Sequence, residues 1–196
     1  MLGNDVVDLG DPETQARHSG FDARVFSARE RQALTCASDP HALRQMLWAA
    51  KESAFKAARR QDPTAGFSPI HFETHLDGAG GGRVTHPTGA FHLRISRHGD
   101  CVHAIACLRV DPAKTHAGVI ESGSQDPSIA ARSLALAEMS KALRVRPEDL
   151  QIARRGRIPE LEHHGLSIGV PLSLSHHGRF AAYAALTCTA PPRREH

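Results

Sequence analysis

Two segments of the chain constrain its fold more than anything else in it. LRISRHGDCVHAIA begins at Leu93 and LSLSHHGRFAAYAA begins at Leu172. Leu93/Leu172, Ser96/Ser175, His98/His177, Gly99/Gly178 and Ala106/Ala185 are identical at one constant offset. Each segment reads as a strand, a tight turn at glycine and a second strand. Each also follows a long alanine-rich helix. A repeated unit of this size predicts an α+β fold of two pseudo-equivalent lobes, each a long helix packed on a small antiparallel sheet. Paired half-domains leave a groove between them, and such interfaces are preferred ligand sites.

The chain has 196 residues, 40% hydrophobic and 23% charged, enough to bury a core and unlike a disordered chain. No apolar run approaches the roughly 20 residues of a membrane span. MLGNDVVDLGDP carries acids early and lacks the features of a signal peptide. Cys36, Cys101, Cys107 and Cys188 show no paired metal-ligand spacing, and are expected as reduced thiols in the cytoplasm. The net charge is a modest +3. Yet Lys141, Arg144, Arg146, Arg154, Arg155 and Arg157 gather in one stretch, which suits phosphates or an acidic partner as well as a plain solvated surface.

Along the chain, a strand is expected around Val6 to Leu9. VFSARERQALTCASDP reads as a short helix. Ser38 or Asp39 can cap the next helix, with Pro40 in its first turn, where a missing N–H costs nothing. That helix runs to about Arg60. IHFETHL, a glycine-rich turn and AFHLRISRHGDCVHAIACLRV read as strands and hairpins of one sheet. The expected lobes are residues 1–112 and 128–188. Residues 113–127 are expected as a polar linker, and 189–196 as a frayed tail. The second helix spans Ile129 to about Arg144. DLQIARR, HGLSIGVPLSLS and GRFAAYAALT are expected as strands.

LWAAKESAFKA places Trp48, Glu52 and Lys56 one helical turn apart, on one face. Leu43, Met46, Leu47, Ala50, Ala54, Ala57 and Ala58 form an apolar stripe toward the sheet, with Trp48, Glu52, Lys56 and Arg59 opposite. This is either a solvated Glu–Lys pair, worth roughly 0.2–0.5 kcal/mol, or a covered polar face. Trp48 and Phe55 favour the covered face, where a Glu–Lys pair needs a further partner such as a metal or ligand. In GNDVVDL, Asp5 and Asp8 lie near a strand. Either can be a turn-former, or a carboxylate that with Glu52 offers hard oxygens to Mg²⁺. Ser173, Ser175, His176, His177 and Arg179 gather around a turn whose donors suit an anion. Zinc and serine-hydrolase readings lack HExxH, cysteine or GxSxG support.

Taken together these segments resemble the 4′-phosphopantetheinyl transferase superfamily. GNDVVDL is similar to its G-x-D motif. VFSARE is similar to F-S-x-x-E, through Phe26, Ser27 and Glu30. WAAKESAFKA is similar to W-x-x-K-E-A-x-x-K, through Lys51, Glu52 and Lys56. LSLSHHGRFAAYA is similar to the serine–histidine strand. The order of the halves resembles a circular permutation of the two-lobed enzymes, or two fused copies of the small holo-acyl-carrier-protein synthase unit.

The resemblance implies a Mg²⁺-dependent transfer, with Mn²⁺ an alternative metal. Phosphopantetheine moves from coenzyme A, the substrate, to a serine of an apo acyl carrier protein or peptidyl carrier domain, releasing 3′,5′-ADP. It implies that Asp5 and Glu52 hold the metal and that Lys56 contacts phosphate and assists the leaving group. It implies that His176 and Ser175 contact coenzyme A phosphates, that Arg132 meets the 3′-phosphate, and that Gly156 and Arg157 lie near the adenine. Three departures stand out. Val7 replaces a second metal-binding acid, Ser53 an alanine, and His177 a serine. Neither nucleic acid nor membrane is an expected partner, and two fused lobes are expected as a monomer. The carrier serves fatty acid, polyketide or nonribosomal peptide synthesis, which the residues do not distinguish. A non-catalytic coenzyme A binder and a nucleic-acid-binding protein using the arginine cluster are the other readings.

Overall fold

A computed structural model describes residues 1–15, 20–109 and 114–187. The first lobe runs β1 (Leu2–Asp8), α1 (Pro12–Gln15), α2 (Phe21–Val25), α3 (Ala28–Cys36), α4 (Pro40–Gln61), β2 (Glu73–Leu76), β3 (Gly81–His86), β4 (Gly89–His98) and β5 (Cys101–Cys107). The second runs β6 (Thr115–Glu121), α5 (Pro127–Leu143), β7 (Leu150–Arg155), β8 (Ile158–His163), β9 (Leu166–His177) and β10 (Phe180–Leu186). Both sheets have five antiparallel strands. Their orders are β1-β5-β4-β3-β2 and β6-β10-β9-β8-β7, the same order position for position.

The repeat holds in register as well as in order. Leu93 faces Ala106 and Ile95 faces Ala104 across the first hairpin. Leu172 faces Ala185 and Leu174 faces Tyr183 across the second. Asp5 pairs with Ala104, and Gly118 pairs with Tyr183. Asp5 and Gly118 are therefore counterparts, as are Asn4 and Ala117.

This pairing corrects the expected linker. Residues 115–121 form β6, the first strand of the second sheet. Its sequence hides it: THAGVIE has a glycine at the centre and little alternation, because the ring of Tyr183 fills the space above Gly118. β8 was not expected either, since Pro159 lies inside it and proline argues against a strand. The helix expected from Val25 is two helices. α2 ends at Val25, and Ser27 opens α3 with a reciprocal capping box through Glu30. Asp39, not Ser38, caps α4, accepting from the Ala42 N–H. The expected tail and Cys188 lie outside the described residues.

The layers are α4, first sheet, second sheet, α5. Ala50, Ala54, Ala57 and Ala58 of α4 pack with Val7, Val84, Phe91, Val102 and Ala104. Leu2, Val6, Cys101 and Ile105 on the opposite face of the first sheet meet Phe180, Ala182 and Ala184 of β10. Ala135 and Met139 of α5 pack on Tyr183, Leu172 and Leu161.

The apolar stripe of α4 is split rather than continuous. Leu47 and Leu43 turn toward Val25, Phe26 and Leu34 on α2 and α3. Lys51 is fully buried between these faces. It pairs with Glu30 at 2.8 Å and donates to the carbonyls of Pro69 and Phe72. Glu30 in turn accepts from the N–H groups of Ser27 and Thr74, at 2.8 Å each. A buried ion pair persists only when such partners satisfy it. Lys51 and Glu30, which the sequence marked only through the family motif, therefore tie α3, α4 and β2 together. Among the described residues, no helix is long and apolar enough to cross a membrane.

Candidate functional site

The two lobes enclose a cleft of about 800 Å³. Asp5, Val6 and Val7 of β1 form its floor, Trp48 and Glu52 of α4 one wall, and His176 and His177 of β9 another. α4 can approach β1 this closely because residue 3 is glycine. A Cβ there would come within 2.2 Å of the Ser53 carbonyl oxygen and 2.6 Å of the Ala57 nitrogen. The packing brings Lys56 Nζ to 2.7 Å from Asp5 Oδ1 and 3.1 Å from the carbonyl of Asn4.

Glu52 faces the same carboxylate. Burial, then the charge of Asp5, pushes Glu52 up to about 7, against the opposing pull of Lys56 and Arg59. The pull of Lys56 and Arg59 does not outweigh burial and the mutual repulsion of the two carboxylates in this partly dry cleft. Their hard oxygens fit a divalent cation of the magnesium class. The group is poised between protonated and ionised near neutral pH, which suits proton transfer.

Trp48 is covered, as expected, by aromatic rings of its own lobe. Phe21 and Phe67, both of the first lobe, flank it at 5.8 and 5.7 Å between ring centroids. Glu52 and Lys56 lie along the β1 edge rather than opposite the sheet. Next to them a smaller cavity of about 140 Å³ is lined by Lys56, Arg59, Arg60, Arg157 and Ser173. Arg60 crosses to the other lobe and donates to the carbonyl of Pro159 at 3.4 Å. Sequence reading missed Arg60. Its signal was a second cation in the last turn of α4, one position after Arg59.

The sequence-derived residues separate into groups. Asp5, Glu52 and His176 share the main cleft, and Lys56 joins them through Asp5. Arg157 reaches the smaller cavity, and Gly156 lines an adjoining one with Arg59 and Phe67. Ser175 is buried and accepts from Asn4 Nδ2 at 3.0 Å. Arg132 donates to the carbonyl of Ile152 on β7, within the packing of its own lobe. Val7 is buried in the first-lobe core while edging the cleft, so an acid there would be buried too.

Of the donors at the serine–histidine turn, Arg179 meets a carboxylate of the protein. Arg179 grips Asp8 with Nε at 2.8 Å and Nη2 at 2.7 Å, and Nη2 also reaches Asp100 at 3.0 Å. The guanidinium holds Asp8 down at about 2. Gly178 makes room for this clasp. Its φ is +52°, and a Cβ there would lie 2.6 Å from Asp8 Oδ2. His177 Nδ1 accepts the Asp8 N–H at 3.3 Å, so its other ring nitrogen carries the proton.

Among the described residues, one group outside the cleft could hold a metal. Asp149, His163 and His164 bring three ligand atoms together in the second lobe. Both Asp149 oxygens already accept from the Arg146 guanidinium, at 2.9 and 3.0 Å.

A family model described as the 4′-phosphopantetheinyl transferase superfamily matches residues 1–107. That span contains β1 and α4, and with them Asp5, Glu52 and Lys56. No curated protein matches the chain. Among solved structures, the Thermotoga maritima holo-acyl-carrier-protein synthase is similar at 15% identity and a TM-score of 0.40, over 85% of this chain and 84% of that one.

Proposed function

The chain belongs to the 4′-phosphopantetheinyl transferase superfamily, and on that premise we propose that it moves phosphopantetheine from coenzyme A to a serine hydroxyl of an apo carrier protein. The observation that carries this reading is the meeting of Asp5 and Glu52 from one lobe with His176 from the other in a single cleft, with Lys56 on Asp5. Coenzyme A is a chain of anions. The cations around the smaller cavity, Lys56, Arg59, Arg60 and Arg157, suit its phosphates by charge and by the arginine fork.

In this reading the serine oxygen attacks the β-phosphorus and the bond to 3′,5′-ADP breaks, so that ADP leaves with the bonding electron pair. Glu52 accepts the serine proton directly or through water. Lys56 donates to the phosphate oxygens as charge builds on the leaving group. His176 holds the phosphates from the second lobe. Asp5 and Glu52 would hold Mg²⁺ or Mn²⁺, which when bound offsets charge on the bridging phosphates. The carrier is an acyl or peptidyl carrier protein, which are acidic as a class, and the basic stretch Lys141 to Arg157 suits docking to it.

The test is a mass measurement. Apo carrier, coenzyme A, Mg²⁺ and the protein should yield a carrier heavier by one phosphopantetheine, and Glu52→Ala should not. No gain on any of several unrelated acyl and peptidyl carriers would overturn the reading.

A further inference from the structure

We propose that Asn4 is a positioning residue for this transfer, setting Asp5 and Lys56 of the first lobe against His176 of the second. The inference rests on the function proposed above.

Asn4 is fully buried where the two sheets meet. Its backbone N–H, on the free edge of β1, donates to Ser173 Oγ at 2.9 Å. Its carbonyl accepts from Lys56 Nζ at 3.1 Å. Its side-chain Nδ2 donates to Ser175 Oγ at 3.0 Å and meets His103 Nε2 at 3.1 Å. Burial holds His103 neutral, so that nitrogen can accept. One residue thus touches the lysine of the site, Ser173 and Ser175 of β9 and a histidine of β5. Asp5 follows it in β1, and His176 follows Ser175 in β9. A rigid link from Asn4 to Ser175 therefore fixes the separation of the two residues that come next. Buried networks whose members are mutually bonded are stiff, because every displaced group loses a partner in a low-dielectric setting.

The alternative is that Asn4 merely joins the lobes. The pseudo-symmetry argues against it. A joining device would suit both sides of the lobe interface, yet the counterpart of Asn4 is Ala117. The counterparts of His103 and Ser173, by the offset of the hairpin repeat, are Ala182 and Arg94. Ser175 alone of these keeps its type, as Ser96, so among the described residues the set of partners centred on Asn4 belongs to the side that carries Asp5. Asn4 is also an unfavourable choice for packing alone, since its Oδ1 has no hydrogen-bond partner. Such a group costs stability. A position needed only for adhesion would hold an apolar side chain, as Val6 does beside it.

The experiment uses the full chain with Asn4→Leu, which keeps the size and removes the polar arms. Three quantities are read: the melting temperature, Mn²⁺ affinity by electron paramagnetic resonance, and kcat and KM for coenzyme A on an acceptor carrier. The expected result is a fall of roughly 10–100-fold in kcat or Mn²⁺ affinity, the range for outer partners of metal ligands. KM for coenzyme A should change far less. Ser175→Ala should lower kcat with the same small change in KM. A rise in KM alone would make Ser175 a plain ligand contact and count against the link. Combining the two substitutions should cost no more than Asn4→Leu alone, because both break one bond. Wild-type kcat and Mn²⁺ affinity in Asn4→Leu, with only a lower melting temperature, overturn the proposal. If Asn4→Leu does not fold, Ser175→Ala decides by the same readouts. If the wild-type protein modifies no carrier, the proposed function fails, and Mn²⁺ affinity alone judges Asn4: reduced supports positioning, unchanged overturns it.

Discussion

In the first lobe an aspartate projects from the edge strand toward the long helix. At the matching point of the second, Gly118 lies under the ring of Tyr183, 2.9 Å from where a Cβ would stand. The backbone framework is the same on both sides, with five strands in one order and one hairpin register. What differs is what occupies the space between strand and helix. In the first lobe a small residue, Ala104, pairs with Asp5 and leaves room for charge. In the second, an aromatic ring completes an apolar core with Ala135 and Met139. At this point one copy of the unit carries the carboxylate of the candidate site and the other an apolar core, and the second lines the main cleft with His176 and His177.

The comparison can be broken most decisively at Glu52. Glu52→Gln should lower kcat by about 10²–10⁴, the usual reach of general acid–base catalysis, while leaving the fold intact. Gly118→Ala, on the packing side, should leave kcat unchanged and lower stability. Steady-state kinetics beside urea unfolding separates the two.

A second difference is the buried pair. Lys51→Met leaves Glu30 charged and dry, and should cost about 3–5 kcal/mol in urea unfolding.

The acid pair makes a pH prediction. Glu52 sits at about 7 when folded, above its ordinary 4.5. The folded, metal-free protein therefore holds this proton more tightly than the unfolded chain. That stabilisation is complete below about pH 4.5 and fades as pH rises through 7, a loss of about 3 kcal/mol. Unfolding in EDTA at pH 5 and pH 8 should show it as an excess over Glu52→Gln. Divalent-cation affinity should rise over the same window, since a cation competes with the proton.

The smallest expected effects concern the glycine that seats α4. Gly3→Ala should cost about 1–3 kcal/mol by overpacking. Its counterpart His116, which already carries a large side chain in β6, should tolerate His116→Ala within about 0.5 kcal/mol. Equal costs at the two positions would mean that close helix approach is not particular to the first lobe.

Much of this was legible in the chain itself. The hairpin repeat announced two lobes because side-chain alternation and the turn glycines are local signals, readable without any partner. Asp39, Pro40 and the acid–lysine spacing on α4 were legible for the same reason. What was hidden depends on distant residues. β6 is recognisable as a strand only once Tyr183 explains Gly118. Arg179 looked like an open anion donor because its carboxylate, Asp8, lies at the other end of the chain. The face of α4 bearing Leu43 and Leu47 looked like part of one stripe, because a sequence does not show that two different surfaces will cover it. Asn4 sat unremarked inside its motif, because both serines it reaches are about 170 residues away.

The pairing of β1 with β5 also bears on how the protein is made. Leu2 faces Cys107, so the first sheet cannot close until residue 107 has been synthesised. Contacts of such long range are slow to form. His176 follows some 70 residues later still. At about 5–20 residues per second that is a further 4–14 s on the ribosome. During that interval the first lobe can shut around α4 with both acids in place, while Asn4 still faces water and waits for Ser173 and Ser175. The nascent chain would hold Asp5 and Glu52 without His176, and the main cleft would be complete only once the last hairpin has folded against the first strand.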